Sequence, residues 1–226
     1  MIGKLLSGAV KLYLRSQVER AGDLQVKIGG KSKQILRGYI PEVWLSCNQA
    51  IYQGLHFNQI QLHGANIAVN LPEVIKKQPL RLVEPIFVDI TLELSAADLQ
   101  ASLTSDLLQS GLTDLWQMIL AAQDSTELNQ TVVEWHDIRL VNNSLVLQGR
   151  YQDLSGESKK LTLTTNINLR NQHILCLAPL KIVSDSLKDG ELKRQLEIDL
   201  GTDVAIANLT IETGKILCSG KIRVNN

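Results

Sequence analysis

The residues able to do chemistry in this chain are few, and their spacing does not assemble them. "EWHD" sets Glu134 and His136 two positions apart, on one side of an extended strand, with Asp137 next in line. A carboxylate beside an imidazole is one way to orient a histidine for general-base work. That chemistry also needs a nucleophile or a metal, and no GxSxG or HExxH string accompanies it. His56 and His63 stand seven residues apart, which matches no metal-ligand spacing, so both are read as surface residues. Cys47, Cys176 and Cys218 are odd in number and far apart, without CxxC or Cys/His pairing. Neither zinc nor a disulfide framework is expected from them. Gly29-Gly30 is read as a hairpin turn leading into a strand, whereas a phosphate loop would need a helix N-terminus there. The expectation is therefore a non-enzyme with no cofactor and no metal. Glu134, His136 and Asp137 become a solvated strand face, and Cys176 and Cys218 small buried hydrophobes.

Composition narrows the partners. Lys plus Arg and Asp plus Glu number 23 each, and aromatics make up 4% of the 226 residues. Overall charge gives no reason to expect nucleic acid, and few rings are present to stack bases or sugars. With 44% hydrophobic residues the buried surface must be mostly aliphatic. No apolar run approaches the roughly 18 residues of a membrane-spanning helix. The opening "MIGKLLSGAVKLYLRSQVERAG" lacks a small-residue cleavage site, so a cytoplasmic, membrane-peripheral protein is expected.

Residues 2–20 have the spacing of an amphipathic helix, with Ile2, Leu5, Leu6, Ala9, Val10 and Tyr13 on one face and Lys4, Lys11 and Arg15 opposite. Such a helix either packs on the domain or lies on an anionic membrane surface, where the three basic residues would face the headgroups. "DLQVKI" and "KQILRGYIPEVWLS" read as strands around Gly29-Gly30. "GLHFNQIQLHGANIAVNL" changes apolar phase twice and is read as one strand with β-bulges. From Leu80 to Leu94 apolar residues stand at Leu80, Leu82, Ile86, Val88, Ile90, Leu92 and Leu94, which predicts a single strand of 15 residues, roughly 50 Å long. Ser95 with Asp98 makes a capping pattern, and Leu99, Leu103 and Leu107 follow at helical spacing. Thr104-Ser105-Asp106 recaps a second helix. The rest, from "TVVEWHDIRLV" to "KILCSGKIRV", alternates as short-turned strands, which implies antiparallel meanders and one α+β domain over residues 1–226. The aliphatic strand faces fit either a filled core or a groove for acyl chains, because both bury the same residues.

"NQAIYQGLHFNQIQLHGANIAVNLPEVI" and "PLRLVEPIFVDITLELSAADLQASLTSDLL" resemble the LmeA-like phospholipid-binding family, common in cyanobacteria. The least generic strings are Gly54-Leu55-His56-Phe57 and Ala97-Asp98-Leu99-Gln100-Ala101-Ser102-Leu103. The resemblance starts around "GGKSKQILRGYIPEVWLS" and weakens after about residue 155. It implies a fold akin to tubular lipid-binding domains, a long twisted antiparallel sheet wrapped around a helix, with an apolar interior for lipid tails. On that reading Leu80, Leu82, Ile86, Val88, Ile90, Leu92, Leu99, Leu103 and Leu107 line the lipid site, and a phospholipid or other acyl-chain lipid is the partner. Relatives in actinobacteria are typically exported, and this chain departs from them in lacking an export signal by the reading above. The alternative expectation is a scaffold or interaction module with a filled core and no lipid.

Overall fold

The computed structural model describes residues 18–74, 80–121, 132–153, 155–184, 187–192 and 195–225. Two antiparallel sheets carry the architecture. Sheet 1 runs β1 (Gln25–Gly29), β2 (Tyr39–Tyr52), β3 (Leu55–Ala68), β4 (Ile86–Ser95), β12 (Lys215–Val224) and β11 (Val204–Glu212), in that spatial order. Sheet 2 runs β10 (Leu196–Asp199), β8 (Ile174–Ser184), β7 (Ser158–Asn171), β6 (Ser144–Gln152) and β5 (Val133–Val141), with β9 (Leu187–Leu192) also paired to β8. The helices are α1 (Ser32–Leu36), α2 (Leu71–Val74), α3 (Ala96–Ser102) and α4 (Asp106–Ala121).

Most turns are where local chemistry asks for them. Asn142 and Asn143 take positive φ of 49° and 65° between β5 and β6, the conformation a tight hairpin needs and asparagine tolerates. Ser95 caps α3 by accepting the Asp98 amide at 3.1 Å, while Asp98 Oδ2 accepts the Ser95 amide at 2.8 Å. Ser105 Oγ accepts the Leu108 amide at 3.0 Å and starts α4.

Sheet 2 and α4 share the largest core. Leu112, Trp116, Ile119 and Leu120 of α4 pack with Trp135, Leu147, Leu161, Leu163 and Ile182. Trp116 meets Trp135 edge-on, centroids 6.2 Å apart and planes at 79°. Leu94, Ile211 and Ile216 carry this core onto one end of sheet 1.

Three expectations need correction. The fold stays α+β, but sheet occupies 62% and helix 17% of it, as two open sheets rather than one sheet wrapped around a helix. The strand expected from Leu80 begins only at Ile86; before it, residues 80–85 hold a single bridge, Leu82 to Val69. Glu84 and Pro85 break the ladder there, since proline brings no N–H and suits the position just before a strand. β4 is thus 10 residues long, roughly 33 Å at about 3.3 Å per residue. Lastly, Gly30 leads into α1 rather than a strand, because the Lys31 amide donates to Gln34 Oε1 at 3.0 Å and turns the chain into one helical turn.

The β-bulges expected in β3 are a further correction. β2 and β3 stay in constant register from Tyr39↔Ala68 to Tyr52↔Leu55, so no net bulge separates them. Gln49 in β2 and Asn66 in β3 take φ of 52° and 55°, and apolar phase changes in both strands near each of these points. Ile40 and Ile67 are buried beyond one point, Cys47 before the other, and Ala50 beyond it.

Candidate functional site

Strand register sorts sheet 1 into two chemically distinct faces. Directly paired residues share a face, so one ladder runs Val26–Leu45–Leu62–Ile90–Gly220–Ile206 across all six strands. A second runs Cys47–Ile60–Leu92–Cys218–Leu209, and a third Ile28–Val43–Gly64–Val88–Ile222–Val204. No charged or amide side chain occurs in these rows. Alternation puts the polar partners on the reverse face, where one ladder reads Lys27–Trp44–His63–Asp89–Lys221.

Among the described residues the aliphatic face is covered at its margins and half-buried along its middle. Ile28, Val43 and Ile86 lie against the cluster of Ile35, Ile40, Ile67, Val69 and Leu71, together with Leu80 and Leu82. Val26, Leu45 and Ile60 lie against Leu24, Cys47 and Ala50. Between these margins and the α4 core, Leu62, Ile90, Leu92, Ile206, Leu209, Cys218 and Ile222 are half-buried and belong to none of the three clusters. Burial pushes the Cys218 thiol above its ordinary range, as an apolar surround does to any acid whose anion needs water. Two glycines shape the strip. A Cβ on Gly64 would come within 3.0 Å of Ile67 Cδ1, so that notch is already filled by Ile67. A Cβ on Gly220 would stand 2.3 Å from the Ala205 carbonyl oxygen, beside the β11 bulge between Ile206 and Asn208.

The reverse face holds a groove of about 340 Å³ among Gln25, Lys27, Trp44, Leu45, Ser46, Gln61, Leu62, His63, Asp89 and Thr91. His63 stacks on Trp44 with centroids 5.2 Å apart, and His63 Nδ1 and Lys221 Nζ each lie 3.6 Å from Asp89. His63 is therefore half-buried in a stack rather than free on the surface. Gln25, Lys27, Gln61, Asp89 and Thr91 are exposed polar residues of this groove, a poorer surround for an acyl chain than the uncharged ladders.

The nine residues expected to line one lipid site divide among four surroundings. Leu80, Leu82 and Ile86 belong to the margin cluster, and Val88, Ile90 and Leu92 to the aliphatic ladders. Leu99 and Leu103 are buried in the α4 core. Leu107 is 47% exposed, a correction: α3 ends at Ser102 and α4 restarts at Asp106, so the spacing from Leu103 to Leu107 does not cross a continuous helix. Leu82 and Leu99 accordingly do not face one volume. Lys4, Lys11 and Arg15 of the expected 2–20 helix lie outside the described residues. Leu62, Ile206, Leu209, Cys218 and Ile222 escaped the sequence reading. The alternation of Cys218 and Ile222 is plain in "KILCSGKIRV", but nothing local says that β12 pairs with β4, about 130 residues earlier.

"EWHD" has a structural explanation. His136 is the extra residue of a bulge between Trp135 and Asp137 on edge strand β5, and its side chain is exposed. The Gln100 amide bridges that bulge, donating to the His136 carbonyl at 3.0 Å and accepting the Ile138 amide at 3.0 Å. Asp137 accepts from Arg139 Nε at 2.7 Å, not from His136. The peculiar strings also meet. Ser102 Oγ accepts the His56 amide at 2.8 Å, and Gly54 sits so close to Ser105 that a Cβ would stand 2.6 Å from the serine Cβ. Among the described residues no helix is long and apolar enough to cross a membrane, and no group of three His, Cys, Asp or Glu could hold a metal.

Comparison with known proteins returned one match: the model of a family described as LmeA-like phospholipid-binding fits residues 1–221. No curated protein and no solved structure matches the chain.

Proposed function

Because the chain belongs to the LmeA-like phospholipid-binding family, we propose that the half-buried aliphatic face of sheet 1 holds the acyl chains of a phospholipid, or of a similar lipid, without catalysing a reaction. One observation carries the reading: three uncharged ladders span up to six strands, yet the protein's own clusters leave their middle half-covered. A hydrophobic face that large is normally either filled or occupied by a partner. The binding energy would come from moving methylenes out of water, about 0.8 kcal/mol each, so ten of them supply about 8 kcal/mol before the costs of ordering. Leu62, Ile90, Leu92 and Cys218 would contact the chains, and the headgroup would stay at the edge of the strip in water. The proposed setting is the cytoplasmic surface of a membrane.

Native mass spectrometry of protein purified without detergent, followed by lipid extraction, tests this. Wild type is expected to carry phospholipid-sized adducts, and a folded Leu62→Gln/Ile90→Gln variant to carry far less. Wild type without lipid would point instead to an interaction module with a filled core. Equal lipid in both proteins would move the site elsewhere.

A further inference from the structure

Among the described residues, three of the four most exposed large apolar side chains, all but Val132, lie at one end of sheet 1, with Tyr39 beside them. Val83 is 65% and Phe87 62% exposed, with Leu36 at 48% and Tyr39 at 38%. Backbone pairing brings them together. Tyr39 pairs with Ala68, and the Ala68 carbonyl accepts the Val83 amide at 2.9 Å, so Tyr39 and Val83 flank one residue. Phe87 follows on the outer face of β4, opposite Arg223. The segment 80–87 weaves between two environments: Leu80, Leu82 and Ile86 enter the margin cluster, while Arg81, Val83 and Phe87 are exposed. A single exposed valine or phenylalanine means little, but a contiguous group marks a contact surface.

Charge says what kind. Lys31, Lys33, Arg37 and Arg81 are exposed at this end, and none has an acidic partner among the described residues. Elsewhere Arg139, Arg170, Lys215 and Lys221 each meet a carboxylate, while exposed Arg20, Lys27, Arg150 and Lys181 have none among the described residues but are not gathered around exposed Val83 and Phe87. Glu42, Glu73 and Glu84 are the acidic residues nearby, and Glu73 accepts from the Asn70 amide at 3.0 Å. Cations are in excess around an aromatic and aliphatic patch, the combination that favours the interface of an anionic bilayer. Phe87 alternates with Ile86 and Val88 along β4, so it stands at the same end of the strand as the aliphatic strip but on the opposite face of the sheet.

We propose that this end of sheet 1, led by Val83 and Phe87, docks the protein on an anionic phospholipid bilayer. The proposal rests on the lipid-binding reading above and brings that site to the membrane: Phe87 and Val83 enter the headgroup region, the four cations meet lipid phosphates, and the end of the aliphatic strip lies on the other face of the same strand end.

The test is co-sedimentation of the full chain with phosphatidylcholine vesicles, with and without phosphatidylglycerol, at low and high salt. Wild type is expected to pellet with the phosphatidylglycerol vesicles and to release as salt rises. A Val83→Ser/Phe87→Ser variant, its fold checked by circular dichroism and thermal melting, is expected to partition about tenfold less or weaker still. Neutralising Arg37 and Arg81 to Gln should cost about fivefold per residue. Unchanged pelleting of the Val83/Phe87 variant would overturn the proposal. So would no pelleting of wild type, or loss confined to a Lys4, Lys11 and Arg15 to Gln variant. Lipid retention, read separately by native mass spectrometry, keeps the two readings apart. Retained lipid with lost pelleting supports docking by this patch. Absent lipid with Phe87-dependent pelleting supports the patch and overturns the acyl-chain site.

Discussion

On sheet 2, Leu147 and Leu163 are 0% exposed and Leu161 is 1%. On sheet 1 the comparable inward positions Leu62, Ile90 and Leu92 are half-buried. Both sheets are antiparallel, and both show the alternation that marks one buried face. What differs is the cover. Helix α4 lays Leu112, Trp116 and Ile119 over sheet 2, whereas the described residues close sheet 1 at its margins and at the end reached by α4. Alternation therefore tells which face avoids water, not what the protein places on it. A sheet closed by its own helix stabilises the fold, and a half-closed one leaves free energy available for a ligand.

Breaking each sheet at its centre should separate them most sharply. Leu163→Ala is expected to cost about 2–5 kcal/mol in urea unfolding, because it opens a cavity in a filled core. Ile90→Ala in lipid-free protein is expected to cost roughly 1 kcal/mol, since its side chain already loses only part of its contact with water on folding. Equal costs would mean that the aliphatic strip is filled and the comparison is wrong.

The next effect is at the seam between the sheets. Gln100→Ala removes both amide hydrogen bonds to the β5 bulge and is expected to cost roughly 1–2 kcal/mol, one bond leaving the Ile138 amide unpaired. Faster hydrogen exchange at Ile138, with the sheet 2 centre unchanged, is the local signature to measure.

The smallest effect sharpens the strip itself. Burial raises the Cys218 thiol, so at neutral pH its thiolate fraction is below that of an exposed cysteine. In a Cys176→Ser background, alkylation of Cys218 should be slower than in unfolded protein, and its rate should keep climbing at pH values above the ordinary thiol range. Adding phospholipid should slow it further. Lipid that leaves the rate untouched would place the acyl chains away from Leu92 and Leu209, the cross-strand neighbours of Cys218.

Features that depend on neighbours along the chain were legible in the residues alone. Ser95 and Asp98 specify a cap within four residues, Asn142-Asn143 a hairpin turn, and the period-two runs most of the strands from Val133 to Val224. The family resemblance was also legible, because its strings lie in segments whose contact, Ser102 with His56, is short-range in space and distinctive in composition. Tertiary structure alone decided the rest. Leu80 and Ile90 read as one strand, but the break at Glu84 and Pro85 sends them to different surroundings. Leu107 keeps helical spacing to Leu103, yet the recap at Ser105 turns it to solvent. The aliphatic strip needed β12 to insert between β4 and β11, a pairing whose partners are about 130 residues apart on one side. Periodicity is a property of one strand, whereas a ladder and its cover are properties of several, chosen by which long-range contacts together remove the most apolar surface from water.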